Sequence, residues 1–222
     1  MNPTTMNFHA IVFDLDGTLL DSLADIATAA NAALADGGWP QHPIDDYRQL
    51  VGDGVAVLFE RALPEAASKD RKQIDACIAG FKKHYDVQWR KQSRPYAGIE
   101  EMLATLQSRQ IPLAVLSNKP HAFTVACVDH FFAATKWTCV LGNTPELPRK
   151  PDPAGVHAIL QPLNVAPANC LYVGDTNTDM QTAKAAGCYA LGVTWGFRPA
   201  EELQQAGADQ IIDTPAQIVS LC

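Results

Sequence analysis

Two aspartates one residue apart, Asp14 and Asp16, end an apolar run and stand directly before Gly17. Where a strand opens into a loop, carboxylates at this spacing can face the same side of the sheet edge. Gly17 allows a sharp backbone turn there, which brings amide N–H groups close to a bound anion. The pattern therefore predicts a loop that carries paired carboxylates beside an anion-binding turn.

Three further segments carry polar side chains at the ends of apolar runs or in the loop after one. Ser117-Asn118 supplies a hydroxyl and an amide, and Lys150 lies in a loop between prolines. Asp175 and Asp179 are four residues apart, so their carboxylates share one face if a helix begins there. Together with the first pair, these residues would bring carboxylates, a hydroxyl and a lysine to one crevice. A cluster of carboxylate oxygens suits Mg²⁺.

The elements that must position these residues follow from the pattern of apolar runs. Short runs without alternation predict strands buried on both faces, as in a parallel sheet. The runs are 8–13, 113–116, 139–141, 171–173, 189–193 and 211–212. Helical patterns separate them, for example the stripe Ile99, Met102, Leu103 and Leu106. Strands that alternate with helices predict a doubly wound, Rossmann-like α/β fold.

The spacing of the first two strands breaks this alternation, because about a hundred residues separate them. A crossover helix needs only a few dozen. Residues 21–92 carry helical patterns only, so we expect an inserted helical domain there and a core formed by 1–20 and 93–222. Ser22 and Asp25 resemble a capping box at the first inserted helix. An insert at this point would lie over the crevice where ligands bind in this architecture.

The composition argues against several classes of partner. The formal net charge is -7 and the pI about 5.3, whereas a nucleic-acid binder needs a basic surface. No apolar run approaches the roughly 18 residues of a membrane span, and residues 1–7 lack a signal-peptide profile. The six cysteines show no zinc-ligand spacing, which predicts reduced thiols in a cytoplasmic protein. We expect no nucleic-acid partner, no membrane partner, and a monomer or homodimer.

The polar segments resemble the four motifs of the haloacid dehalogenase-like phosphatases. These are Asp-x-Asp-Gly-Thr-Leu at 14–19, Ser117-Asn118, Lys150-Pro151 and Gly-Asp-Thr-x-x-Asp at 174–179. Their order along the chain is similar to that of the family, and the resemblance covers essentially the whole sequence. The inserted helices resemble the family's α-helical cap. The resemblance implies a Mg²⁺-dependent phosphatase that acts on a small phosphorylated metabolite.

The resemblance also implies which residues do the chemistry. Asp14 would attack phosphorus and become an aspartyl phosphate. Asp16 would protonate the leaving oxygen and then activate the water that cleaves this intermediate. Asp14, the Asp16 carbonyl and Asp175 would hold Mg²⁺. Asp179 would support the metal through water or through Lys150.

A second set of residues would bind the phosphoryl group, on the same resemblance. Ser117 and the backbone N–H groups near Gly17, Thr18 and Asn118 would bind its oxygens. Lys150 would neutralise phosphate charge and help to keep the nucleophile ionised. Phosphoryl transfer depends chiefly on such positioning and charge neutralisation.

Secondary features resemble the phosphoglycolate phosphatases within the family. They are Gly52-Asp53-Gly54, Arg94-Pro95-Tyr96, Asp175-x-x-x-Asp179-Met180 and Trp195-Gly196-Phe197-Arg198. Hydrolysis of 2-phosphoglycolate is the leading hypothesis, and its carboxylate would meet Arg48, Arg61 or Lys82 of the insert. The sequence does not choose among these three.

Four other functions stay open at this point. A pyrophosphatase or a sugar-phosphate phosphatase of the same family is the nearest alternative. A β-phosphoglucomutase-like isomerase would need basic groups for a second phosphate, and residues 50–59 have none. A non-catalytic regulator could use the fold to bind a phosphorylated ligand, but it has no need of a nucleophile. The intact set of Asp14, Asp16, Lys150 and Asp175 therefore argues against the regulator.

Overall fold

The computed structural model describes residues 8–222. Residues 1–7, whose sequence lacks a signal-peptide profile, lie outside this range. The chain divides into two compact units. One runs up to Leu19 and continues over Pro95–Cys222, and we call it the α/β unit. The other is Leu20–Arg94, and we call it the helical unit.

The strands and helices have the following bounds. The strands are β1 (Ala10–Phe13), β2 (Leu20–Asp21), β3 (Arg94–Pro95), β4 (Leu113–Pro120), β5 (Cys139–Asn143), β6 (Cys170–Gly174), β7 (Tyr189–Val193) and β8 (Gln210–Ile212). The helices are α1 (Leu23–Asp36), α2 (Tyr47–Leu50), α3 (Val55–Ala62), α4 (Glu65–Ser68), α5 (Arg71–Gln88), α6 (Ile99–Ser108), α7 (His121–Phe131), α8 (Ala154–Leu163), α9 (Asn177–Ala186), α10 (Ala200–Gln205) and α11 (Ala216–Leu221). Among residues 8–222, no helix is both long and apolar enough to cross a membrane.

A six-stranded sheet forms the centre of the α/β unit, in the order β5-β4-β1-β6-β7-β8. Every neighbouring pair is parallel. Numbered along the chain, the six strands stand in the order 3-2-1-4-5-6, which is that of the Rossmann-type fold. The predicted doubly wound α/β fold is therefore confirmed. The order reverses at β1, and ligands bind at the carboxyl ends of the strands beside such a reversal.

Burial explains why the central strands read as continuous apolar runs. Every residue of β1 and β6 is buried. Both faces of these strands therefore carry apolar side chains, and the sequence does not alternate between apolar and polar residues. On β1, Phe13 lies opposite Val115 of β4 and Val173 of β6. The apolar stripe of α6 is at most 2% exposed, as predicted, and comprises Ile99, Met102, Leu103 and Leu106. Burial of these strands and of the α6 stripe therefore holds the ends of the central strands in place.

The helical unit has its own core, in which α1 packs along α5. On α1 the buried side chains include Ile26 and Leu34. On α5 the Phe81 ring stacks on Tyr85 with ring centroids 5.0 Å apart, and it meets Phe59 of α3 edge-on at 6.1 Å. The predicted helices of this segment are confirmed by α1 to α5.

The capping box predicted at Ser22 is wrong. The Ser22 side chain makes no capping hydrogen bond to α1. The fully buried Asp25 carboxylate instead accepts hydrogen bonds from the backbone N–H groups of Gln92 and Ser93, from the Ser93 hydroxyl and from the Gln88 amide, at 2.8–3.1 Å. Four donors around a buried carboxylate outweigh a single N–H at a helix start. Asp25 therefore ties the beginning of the helical unit to its end.

Replacing Asp25 with alanine should destabilise the protein. The change leaves buried N–H and O–H donors without an acceptor, and each such group costs about 1–3 kcal/mol. We expect urea unfolding to show a loss of about 3 kcal/mol or more in the free energy of unfolding. The control is Asp75→Ala, which removes an exposed ion pair with Arg71 on α5 and should cost less than about 1 kcal/mol. Equal losses in the two variants would contradict the structural role of Asp25.

Candidate active site

The carboxyl ends of β1, β4 and β6 bring the predicted site residues together within the α/β unit. These three strands are adjacent and parallel, so their ends meet at one edge of the sheet. Asp14 directly follows β1, and its backbone N–H donates to the Val173 carbonyl of β6 at 2.9 Å. Asp175 directly follows β6, and Ser117 and Asn118 lie in the last residues of β4.

Three buried carboxylates form a cluster at this edge. Each of Asp14, Asp175 and Asp179 offers a carboxylate oxygen, and these oxygens lie within 4.8 Å of one another. Burial raises the pKa of Asp14 to about 7, although the nearby Lys150 lowers it. Burial, followed by the charges of Asp179 and Asp14, raises the pKa of Asp175 well above its usual value. The raised pKa values mean that these carboxylates do not all ionise without added positive charge. Their oxygens are hard donors, so the set fits a divalent cation such as Mg²⁺.

Lys150 lies between two of these carboxylates. Its Nζ is 2.8 Å from Asp14 Oδ1 and 2.8 Å from Asp179 Oδ1, and its side chain is 3% exposed. Burial alone would lower the pKa of Lys150, but the charges of Asp14 and Asp179 raise it well above the usual value. The lysine is therefore protonated, and it supplies a fixed positive charge beside Asp14.

Asp179 is held by its own neighbours. Its Oδ2 accepts hydrogen bonds from the backbone N–H and the hydroxyl of Thr176, and these two residues form the capping box of α9. Its Oδ1 accepts from the Tyr172 hydroxyl at 3.3 Å as well as from Lys150. Both oxygens of Asp179 accept hydrogen bonds from protein donors, and Asp179 therefore positions Lys150.

Asp175 is held by residues from two other loops. The Thr18 hydroxyl donates to its Oδ1 at 2.8 Å, and the Phe197 backbone N–H donates to its Oδ2 at 2.8 Å. Gly17 has a φ of +92°, and a Cβ there would collide with the Asp175 carboxylate. Trp195 donates its indole N–H to the Thr18 carbonyl at 2.9 Å. The loop after β7 thus fixes both Asp175 and the turn after β1.

The predicted phosphate-binding residues fall into two groups. Ser117 and Asn118 are buried at the end of β4, and the Asn118 side chain exchanges two hydrogen bonds with the Lys150 backbone, at 2.9 and 3.2 Å. The backbone N–H of Thr18 donates to the Leu15 carbonyl at 3.3 Å. Phosphate binding near Thr18 stays a prediction, because its hydroxyl and its N–H both have acceptors within the protein.

Asp16 is not one of the three clustered carboxylates, and its side chain contacts a second lysine. Both of its carboxylate oxygens lie 3.0 Å from Lys119 Nζ. The side chains of Lys119 and Asp16 are 5% and 16% exposed. We did not assign Lys119 from the sequence, although it lies two residues after Ser117, on the same face in a regular strand. Only its position in the strand could have indicated it.

The arrangement can bind a cation and an anion side by side. Four carboxylates and two lysines meet at one edge of the sheet, so full ionisation of the carboxylates would leave an excess of negative charge. A divalent cation would neutralise that excess and leave the lysines to face an anionic ligand. A buried carboxylate beside a lysine can then act as a nucleophile towards an electrophilic phosphorus.

Comparison with known proteins identifies the family. The family model described as haloacid dehalogenase-like hydrolase matches residues 11–193. The chain is 31% identical to a phosphoglycolate phosphatase of Photobacterium profundum over 216 residues, which cover 95% of this chain and 94% of the relative. It is 34% identical to a phosphoglycolate phosphatase of Neisseria meningitidis over 210 residues, which cover 94% and 89%.

A solved structure agrees with these relatives. A crystal structure named as a predicted phosphoglycolate phosphatase, from Haemophilus somnus, superposes with a TM-score of 0.89 and 30% sequence identity. The superposition covers 97% of this chain and 98% of that one. The chain therefore belongs to the haloacid dehalogenase-like hydrolases, and within that family to the phosphatases.

Proposed function

We propose that the protein hydrolyses 2-phosphoglycolate to glycolate and phosphate, with bound Mg²⁺ and through a phosphoaspartate on Asp14. The observation that carries this proposal is the buried Asp14 carboxylate, which lies beside Lys150 and within the cluster that includes Asp175. The choice of substrate is supported by relatives named phosphoglycolate phosphatase that align over nearly the whole chain.

The metal would be held by the Asp14 and Asp175 side chains and the Asp16 carbonyl. Bound there, Mg²⁺ would supply positive charge to the phosphoryl oxygens and to the nucleophile. Asp179 would act through Lys150, which it contacts at 2.8 Å. Thr18 and Phe197 would keep the Asp175 carboxylate in a fixed orientation through the hydrogen bonds that they donate.

The first half-reaction would transfer the phosphoryl group to the protein. An Asp14 oxygen would attack phosphorus, and the bond between phosphorus and the ester oxygen would break. Asp16 would donate its proton to that oxygen, so that glycolate leaves as the alcohol. Lys150, the Ser117 hydroxyl and backbone N–H groups near Gly17 and Asn118 would neutralise and orient the phosphoryl oxygens.

The second half-reaction would release phosphate. Asp16, now ionised, would take a proton from a water molecule as the water attacks phosphorus. The bond between phosphorus and Asp14 would break, which restores the free carboxylate and leaves inorganic phosphate.

The two units would have different roles. We propose that residues 21–92 act as a cap domain and that 1–20 with 93–222 form the catalytic core. All groups that would touch the phosphoryl group belong to the α/β unit. All six cysteines are free thiols, which supports a protein that works in the cytoplasm.

Phosphate release by the purified protein tests the substrate. With Mg²⁺ we expect a kcat/KM for 2-phosphoglycolate at least about 10-fold above those for hexose phosphates, because recognition of the carboxylate as a second charged group is worth about 1.5–3 kcal/mol. Pyrophosphate, which has a second charge but no carboxylate, completes the panel. EDTA should abolish release, and added Mg²⁺ should restore it. Equal turnover of the whole panel would contradict 2-phosphoglycolate as the substrate and leave the chemistry standing.

Asp14→Asn tests the nucleophile. An amide cannot form the phosphoaspartate, so kcat should fall by about 10⁴-fold or more, as for other lost nucleophiles. Binding of 2-phosphoglycolate, followed by calorimetry, should persist. Asp129→Asn, an exposed position on α7, is the matched control and should retain activity. If Asp14→Asn behaved like the wild type, a regulator that only binds phosphorylated ligands would fit better.

Metal-free stability should depend on pH in a defined direction. Burial raises the pKa of Asp14 to about 7, whereas an unfolded aspartate titrates near about 3.9. Between these values the folded protein holds a proton that the unfolded chain releases, so this contribution to stability falls as pH rises from about 4 to about 7. Mg²⁺ binds the ionised folded site, so the rise in Tm that it causes should grow over the same interval.

Thermal unfolding with Mg²⁺ or EDTA at several pH values measures this effect. The difference between wild type and Asp14→Asn isolates the contribution of Asp14 from that of the other carboxylates. A Tm that does not respond to Mg²⁺ at pH 7.5 would contradict a metal site at the acidic cluster.

A further inference from the structure

We propose that Lys119 binds the carboxylate of the substrate and thereby selects phosphomonoesters that carry an anionic group close to the ester oxygen. The inference deepens the proposed function and rests on it. It places the recognition of that carboxylate in the α/β unit, whereas the sequence had suggested Arg48, Arg61 or Lys82 of the helical unit.

Lys119 lies close to the position that the leaving oxygen of the substrate would occupy. Lys119 Nζ lies 3.0 Å from both oxygens of Asp16. A general acid must lie about 2.6–3.2 Å from the oxygen that it protonates, so Nζ is within roughly 6 Å of the leaving oxygen. In 2-phosphoglycolate a single methylene separates that oxygen from the carboxylate. The substrate carboxylate therefore falls within reach of Lys119.

The two buried lysines face opposite ends of such a substrate. Lys150 lies between Asp14 and Asp179, on the side of the nucleophile. Lys119 lies against Asp16, on the side of the leaving group. A phosphoryl group and a carboxylate are separate negative charges, and each would have one buried cation. In a site largely shielded from water, a charge-assisted hydrogen bond to such a cation is strong.

The backbone around Lys119 holds it in place. From Leu116 to Pro120 the pairing advances four residues on β4 but only two on β5, so the register shifts across Lys119. The Thr124 hydroxyl donates to the Lys119 carbonyl at 3.1 Å, and the Lys119 N–H donates to Ser117 Oγ at 3.3 Å. Irregularities of this kind re-aim side chains at the edge of a sheet. The register shift between Leu116 and Pro120 therefore affects the direction of Lys119.

The cations of the helical unit are less suited to this task. Arg61 forms an ion pair with Asp53 at 2.5 Å, and its side chain is 39% exposed. Arg48 and Lys82 are exposed residues. Pairs between exposed charges contribute little, because water competes for both partners. Lys119, at 5% side-chain exposure, offers the stronger interaction.

The test compares two substrates that differ in the carboxylate. Ethyl phosphate has the same number of carbon atoms as 2-phosphoglycolate but carries no carboxylate. The measured quantity is the ratio of kcat/KM for 2-phosphoglycolate to that for ethyl phosphate. In Lys119→Met this ratio should fall about 10- to 100-fold, which is the effect of losing one charge-assisted hydrogen bond. Lys184→Met, which breaks the partly exposed pair with Asp209, is the matched control and should keep the wild-type ratio.

The ratio separates recognition from positioning. If Lys119 only orients Asp16, both substrates lose rate equally and the ratio is unchanged, which would overturn the proposal. If Lys119→Met does not fold, Lys119→Gln keeps a donor towards Asp16 and loses only the charge, so the same fall in the ratio is expected. No release from any ester by the wild type would instead reject the proposed function, a result distinct from release without preference for the carboxylate.

Discussion

Burial of three aspartates at one point of the sheet edge is the constraint on which the site depends. Asp14, Asp175 and Asp179 offer oxygens within 4.8 Å of one another, so each carboxylate raises the free energy of ionising the next. Lys150 partly offsets this cost by contacting two of the three. The remaining charge makes the folded chain receptive to a cation. The shortage of positive charge destabilises the fold at this point. It also means that the site can bind a cation.

The clustered carboxylates and Lys150 are in turn held by hydrogen bonds from neighbouring residues. Thr176 and Tyr172 hold Asp179, Asn118 holds the Lys150 backbone, and Phe197 holds Asp175. Asn118 and Phe197 belong to other strands and loops than the residues that they contact, so Lys150 and Asp175 are not positioned by their own loops alone. Electrostatic stabilisation of a transition state requires groups that are already oriented before the reaction begins. Several loops at one sheet edge provide such orientation with short side chains.

Sequence patterns were informative where they are local. Continuous apolar runs located the strands, since burial on both faces leaves a direct record in the sequence. Polar residues directly after two of these runs located Asp14 and Asp175. Long-range partners left no such record. Ser22 matched a capping pattern, but Asp25 found donors more than sixty residues away. The Phe197 contribution is a backbone N–H, which almost every residue possesses, and the direction of Lys119 depends on a register shift between two strands.

The carboxylate of Asp25 has a consequence for how such proteins diversify. It joins the first helix of the helical unit to residues 92 and 93 at its end, so the two points where this segment meets the rest of the chain stay close together. A segment with neighbouring ends can be exchanged for another of different length or fold at little cost in chain entropy. Such an exchange would alter the inserted segment and leave the strand order of the sheet in the α/β unit as it is.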